Sequence, residues 1–289
     1  MAIILNTLIS LSLLGVVLAI ILYFVAQKFK VYEDPRIDEV EEFTPGANCG
    51  GCGYPGCRGF AEACVKAETL DGIFCPAGGN EVMQNIAKVL GMTAAEKEPQ
   101  IAVVRCNGSH EKREKTNIYD GPKSCAIESS LYTGDTACSY GCLGQGDCVE
   151  VCLFDAIYID EESGLPLVDE EKCTACGACV KICPRSIIEL RDKGKKNRRV
   201  YVSCMNKDKG AEARKICSVA CIGCGKCIKA CPFEAITLNN FIAYIDYEKC
   251  KLCRKCAQEC PTGAILEINF PPRKEKEAIK EQETTEVDK

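Results

Sequence analysis

The chain has 289 residues, among them 25 cysteines, one histidine and no tryptophan, with a formal net charge of −5. An acidic chain of this kind is not a nucleic-acid binder that works by neutralising phosphates. The cysteines are odd in number and crowd into C-x2-C runs whose neighbours cannot bridge each other without strain, which excludes a disulfide scaffold and leaves a metal-loaded protein of a reducing compartment.

Taken in chain order, the first element is apolar. No charged residue lies between Ala2 and Ala26, and only Asn6, Thr7, Ser10 and Ser12 are polar. At 1.5 Å per residue such a helix spans a bilayer core of about 30 Å, so 2–27 is predicted to be a transmembrane anchor. A cleaved signal peptide would need a basic start, a shorter apolar stretch and a small-residue cleavage site, none of which is present. Lys28 and Lys30 follow the span and none precedes it. Positive charge on that side predicts a single-pass protein of the cell (inner) membrane with its bulk on the cytoplasmic face. An acidic linker over 28–44 follows, carrying Glu33, Asp34, Asp38, Glu39, Glu41 and Glu42.

The first cysteine group, Cys49, Cys52, Cys57 and Cys75, lies in a module over 45–95. Glycines crowd it, in GANCGGCGYPGC, as a backbone must that approaches a cluster closely and donates N–H groups to its sulfurs. Apolar residues at helical spacing over 58–68 and 81–90 predict a small, mostly helical 4Fe–4S module. Structural zinc is the competing reading of this group. Gly51-x-Gly53-x-x-Gly56 matches a dinucleotide fingerprint in letters only, since no strand is predicted before it.

From residue 101 the chain repeats itself. A first ferredoxin-like module over 101–190 opens on the strand-like IAVVRC and carries Cys138, Cys142, Cys148 and Cys152, then Cys173, Cys176, Cys179 and Cys183. A second over 217–270 carries Cys221, Cys224, Cys227 and Cys231, then Cys250, Cys253, Cys256 and Cys260. CLFDAIYID matches CPFEAITLN, and VDEEKCTACGACVKICP matches IDYEKCKLCRKCAQECP. Short strands are predicted at 156–160, 167–169, 235–238 and 243–246.

In the C-x2-C-x2-C-x3-C-P spacing, three close thiolates cap one cubane and the fourth reaches its mate. Cys152, Cys173, Cys176 and Cys179 are therefore grouped on one cluster, and Cys138, Cys142, Cys148 and Cys183 on the next. Cys221, Cys224, Cys227 and Cys260 form a third group, and Cys231, Cys250, Cys253 and Cys256 a fourth. The run at 138–152 departs from the pattern in spacing and has Leu153 in place of proline. With the Cys49 group the chain is predicted to hold five 4Fe–4S clusters on an α+β framework: a transmembrane helix, a small helical module and two ferredoxin-like two-cluster modules. Cys64, Cys106, Cys125, Cys204 and Cys217 are left over and read as buried side chains, with Cys106 and Cys125 a pair that could approach each other.

Between the modules, 191–216 is predicted to be a basic hairpin and connector. Arg191, Lys193, Lys195, Lys196, Arg198 and Arg199 there could dock an acidic electron donor, or form an ordinary solvated loop. The tail over 271–289 is polar and predicted to be disordered. No catalytic group is found: the one histidine, His110, sits in a polar stretch, and there is no P-loop or nucleophile–base pair.

The anchor, the GANCGGCGYPGC module, CSYGCLGQGDCVEVCLFDAI and the two ferredoxin-like repeats together resemble the B subunit of Rnf complexes, over Ala2 to about Phe270. The resemblance implies a subunit of a membrane-bound, ion-translocating ferredoxin:NAD oxidoreductase. It would take electrons from reduced ferredoxin and relay them to membrane-embedded and NADH/flavin-binding Rnf subunits, with no nucleic-acid partner. Clusters of this type change by one electron and NAD needs a hydride, so flavin on another subunit would convert between them. A polyferredoxin-type carrier of another membrane complex, a hydrogenase or dehydrogenase, is the alternative.

Overall fold

The computed structural model describes residues 2–28, 33–131 and 134–272. The first helix, α1 (Ala2–Lys28), matches the apolar segment, and its Ile9–Lys28 portion is long and apolar enough to cross a membrane. Lys30 and most of the predicted tail lie outside the described residues.

Three helices make the first module: α2 (Arg36–Phe43), α3 (Gly56–Lys66) and α4 (Gly79–Leu90). Their shared core contains Val40, Phe60, Ala61, Cys64, Met83 and Ile86. The linker expected over 28–44 is thus a helix from Arg36 on. Its signal was weak because only Ile37 and Val40, one turn apart, face the core among many acids. Those acids have a local role: Arg58 of α3 pairs with Glu33, with Asp38 at 3.1 Å and with Glu41 at 2.8 Å. Gly91, at φ 66°, ends α4 in the left-handed conformation that glycine adopts without a Cβ clash.

The next two units share one plan. The first contains β1 (Gln100–Val104), α5 (Cys125–Leu131), α6 (Asp147–Glu150), β2 (Ile157–Ile159), β3 (Pro166–Val168), α7 (Ala178–Ile182) and β4 (Ile188–Asp192). The second contains β5 (Arg199–Val202), α8 (Gly210–Ile216), α9 (Lys226–Ala230), β6 (Ile236–Asn239), β7 (Ile242–Ile245), α10 (Lys255–Gln258) and β8 (Ile265–Ile268). In each, first and last strands pair antiparallel, β1 with β4 and β5 with β8, around a central hairpin, β2–β3 or β6–β7. The predicted short strands fall on these hairpins.

Two expectations are corrected here. β4 and β5 do not pair with each other, so 191–199 is a link between two sheets and not a hairpin tip. The second unit also opens at β5, ahead of the expected boundary at 217, because β5 is buried along its whole length and needs β8 beside it. The two outer sheets face each other through Ile101, Val103 and Tyr201. Arg191 is buried there, bonded to Glu189 and lying 5.0 Å from the Tyr244 ring and 5.7 Å from that of Tyr201. The Glu189 carboxylate and the faces of the two tyrosine rings are what this cation meets there.

Candidate metal centres

Three of the expected cysteine groups each surround a cavity open in part to solvent. Cys49, Cys52, Cys57 and Cys75 line about 320 Å³. Cys152, Cys173, Cys176 and Cys179 line about 370 Å³. Cys221, Cys224, Cys227 and Cys260 line about 360 Å³. In the fourth group, the Cys256 thiol feels Cys250, Cys253 and Cys231 as its neighbours. The loops achieve this by alternating conformation: Ala175 and Gly177, Gly223 and Gly225, and Leu252 and Arg254 all have positive φ between the ligands. A short helix follows each loop, α7, α9 or α10, and carries the third cysteine of its run.

The chemistry of these cages suits thiolate ligands. Burial pushes the Cys179 and Cys256 thiols up to about 12 and that of Cys227 to about 11, with neighbouring cysteines adding to the rise. Crowded, desolvated thiols are neutral by themselves and lose their protons only to a metal centre that supplies positive charge. Backbone N–H groups already point at the sulfurs, Gly78 at Cys75 at 3.3 Å and Ala156 at Cys152 at 3.4 Å. Among the described residues no three Cys, His, Asp or Glu side chains are gathered around a single-ion position. Four thiolates on one zinc would stand about 3.8 Å apart, so a wider, multinuclear group fits these cavities better.

The remaining predicted group is rearranged. Cys148 has Cys183 close by, as expected, but also Cys125, and Cys125 in turn borders Cys142. Cys138 does not join them; it lies beside Cys106. The physical cause is Asp147. Its carboxylate accepts the backbone N–H of Cys125 at 2.7 Å and of Ala126 at 3.0 Å, and the Ser124 hydroxyl at 3.1 Å. That carboxylate fixes the start of α5 one residue away from Cys148. Nothing in the spacing of Cys125 announces this, since 16 residues of no regular pattern separate it from Cys142. Cys106 and Cys125 both border Cys142. Cys64 is fully buried in the helical core and His110 is exposed, both as expected. The Gly51–Gly56 run precedes α3 with no strand before it, so the dinucleotide fingerprint has no structural counterpart.

The groups are also close to one another. A Cβ placed on Gly51 would stand 2.8 Å from the Cys176 carbonyl oxygen and 2.9 Å from its Cα, so the first cysteine loop touches the Cys173–Cys176 loop directly. Cys148 and Cys179 are electrostatic neighbours, as are Cys227 and Cys256, which joins the paired groups within each ferredoxin-like unit.

Compared with known proteins, residues 220–264 match a "4Fe-4S dicluster domain" family, 166–189 a "4Fe-4S binding domain" family and 45–72 an "Fe-S cluster" family. The chain is 46% identical over 242 residues, 83% of its length and 71% of the relative's, to the B subunit of the Na(+)-translocating ferredoxin:NAD(+) oxidoreductase complex of Acetobacterium woodii. It is 38% identical, over 86% of its length and 92% of the relative's, to the B subunit of the ion-translocating oxidoreductase complex of Methanosarcina acetivorans. The B subunit of the proton-translocating ferredoxin:NAD(+) oxidoreductase complex of Clostridium ljungdahlii is 39% identical over 84% of each chain.

Proposed function

This chain belongs to the B-subunit family of ion-translocating oxidoreductase (Rnf) complexes, and from that premise we propose that its cysteine groups form a relay of 4Fe–4S clusters between reduced ferredoxin and the other subunits. It is an iron–sulfur electron-transfer subunit of an oxidoreductase that is also a translocase. The observation that carries the relay is the contact between cages: Gly51 lies against Cys176, and Cys148 beside Cys179.

Held in such cages, 4Fe–4S clusters supply sites that gain and lose one electron with little rearrangement. The chain's own residues do the rest. Cys49, Cys52, Cys57 and Cys75 would hold one cluster, and Cys152, Cys173, Cys176 and Cys179 a second. Cys125, Cys142, Cys148 and Cys183 would hold a third, in place of the grouping with Cys138. Cys221, Cys224, Cys227 and Cys260, and Cys231, Cys250, Cys253 and Cys256, complete five. Backbone N–H groups at the sulfurs stabilise the added negative charge of the reduced state. The loops exclude side chains from the joints, which keeps neighbouring sites near.

The anchor reading follows the same logic. Helix α1 would hold the chain in the cell membrane, with the cysteine-rich part on the cytoplasmic side where reduced ferredoxin and NAD are found. The hydride step would belong to partner subunits, since 4Fe–4S clusters pass single electrons and a hydride carries two. The relatives translocate different ions, so their likeness leaves the coupled ion to the membrane partners.

The test is anaerobic reduction of the purified chain by substoichiometric reduced ferredoxin, followed by electron paramagnetic resonance. Signals of reduced 4Fe–4S centres growing in step with ferredoxin oxidation are expected. Retained zinc with no reducible iron would overturn the reading. A chain lacking residues 2–28 is expected to leave the membrane fraction with its iron content unchanged.

A further inference from the structure

Besides Cys64, which is sealed in the helical core, four cysteines stand outside that relay of five: Cys106, Cys138, Cys204 and Cys217. They line one cavity of about 370 Å³, matching those of the expected cages. Both ferredoxin-like units contribute. Cys106 follows the end of β1 by two residues and Cys204 follows the end of β5 by two, which are equivalent places in the repeated plan. Cys217 caps α8, and Cys138 lies in the loop before α6.

Their sulfurs are surrounded as the expected ligands are. The N–H of the residue two positions on donates to Cys138 (from Tyr140), to Cys204 (from Asn206) and to Cys217 (from Val219). The same arrangement occurs at Cys250, from Leu252, in the last C-x2-C loop. The Cys106 sulfur accepts the N–H of Cys142 at 3.5 Å. Asn206 is 2% exposed and its Nδ2 stands 3.7 Å from the Cys138 sulfur.

A buried positive charge completes the site. Arg113 is 5% exposed and its Nε has no hydrogen-bond partner. Its Nη1 reaches the Thr136 hydroxyl at 3.4 Å, and no carboxylate pairs with it among the described residues. Leaving a guanidinium buried without an anion is strongly unfavourable. It lies against Cys138 and Cys217, and Gly108 and Gly141 make room for it. A Cβ on Gly108 would stand 3.2 Å from Arg113 Cδ and 3.3 Å from the Cys217 sulfur; one on Gly141 would stand 2.8 Å from Arg113 Nη1 and 3.4 Å from the Cys138 sulfur. Four thiolates on an iron–sulfur core carry the net negative charge that this cation lacks.

We propose that Cys106, Cys138, Cys204 and Cys217 hold a further 4Fe–4S cluster between the two ferredoxin-like units, an inference that rests on the relay reading and extends it. Its place gives it a role. On one side Cys142, of the Cys125 group, donates its N–H to Cys106; on the other, Cys221 donates its N–H to Cys204. The site therefore joins the cages of the first unit to those of the second. It takes up one electron from one neighbour and gives one to the other, with no bond made or broken.

The experiment is iron, sulfide and zinc analysis of the full chain, reconstituted anaerobically in detergent with ferrous iron and sulfide. Six clusters require about 24 iron and 24 sulfide per chain. The Cys106→Ser/Cys217→Ser variant is expected to lose about four of each, and Cys64→Ala to lose none. About 20 iron in the unsubstituted chain, with or without one zinc, would overturn the sixth site and leave the relay of five standing. Zinc throughout with no iron would overturn the relay itself. Should the double variant fail to fold, Asn206→Ala decides, because it keeps all four cysteines and removes the Nδ2 donor to Cys138, together with the Oδ1 that accepts the Asp208 N–H at 2.7 Å. One reduction wave is expected to move to lower potential while the others stay; six unmoved waves would count against the site.

Discussion

Cys64 and Cys125 both lie on helices outside any recognisable motif, and the structure gives them opposite surroundings. Cys64 is sealed into the core of the helical module, where burial pushes its thiol up to about 12. Cys125 is half-buried at the start of α5, where Asp147 grips the backbone of the turn. The residue type was legible in the sequence; the difference in surroundings was not, because it depends on a carboxylate 22 residues away that has no motif of its own. Truncating that carboxylate tests the point. Asp147→Ala removes three part-buried hydrogen bonds, two of them from the backbone N–H groups of Cys125 and Ala126, a cost of about 1–3 kcal/mol. The variant is expected to melt at lower temperature and to lose up to about four irons, since only the Cys125 group depends on that turn. Full iron retention would show that Cys125 is not held by Asp147.

Among elements, the strands were well placed by the sequence, and the two central hairpins were too, but the hairpin expected across 191–199 was not. Alternation and β-branched residues located β1, β2, β3, β6 and β7 to within about two residues. Pairing between β5 and β8 spans a whole unit, and no local pattern reveals it, whereas a short basic stretch with a glycine between two strands imitates a hairpin. The consequence reaches the docking idea. Of the six basic residues over 191–199, Arg191 and Arg199 are buried, and Arg199 is tied to Glu170. Lys193 donates to the Glu170 carbonyl at 2.7 Å. Lys195 and Lys196 are exposed. Lys195→Glu/Lys196→Glu is therefore expected to keep its fold and to slow reduction by ferredoxin two- to tenfold, roughly, at low salt, with the difference fading as salt screens it. Arg199→Glu is expected to lower stability by roughly 2–3 kcal/mol, since it sets two carboxylates together in a half-buried place. A rate unaffected by the lysine reversal at every salt concentration would remove this stretch from donor binding.

At the scale of the whole molecule, the long apolar helix and the 4Fe–4S segments could be read from hydropathy, cysteine spacing and internal repetition. How the units touch could not. Gly51 looked like one more glycine in a cysteine loop, and Arg191 like one more surface cation. The first is the point where the helical module meets its neighbour, and the second lies between the two outer sheets. Contacts of this kind depend on shape at distant positions, and a single chain carries no periodic sign of them.

The Gly51 contact sets a limit on timing. Sites arranged in single file fill and empty together only while every joint is short, because tunnelling weakens steeply with separation. Gly51→Leu cannot keep the present approach to Cys176, so the helical module must step back while all its cysteines stay in place. Rapid-mixing reduction should then resolve two populations, one charging at the original rate and one lagging, with the total number of electrons accepted unchanged. Such a chain would still store the same charge, but its terminal site would answer to the partner on its own side alone. On the relay reading, a residue with no side chain beyond a hydrogen atom would keep the two ends of the molecule in step.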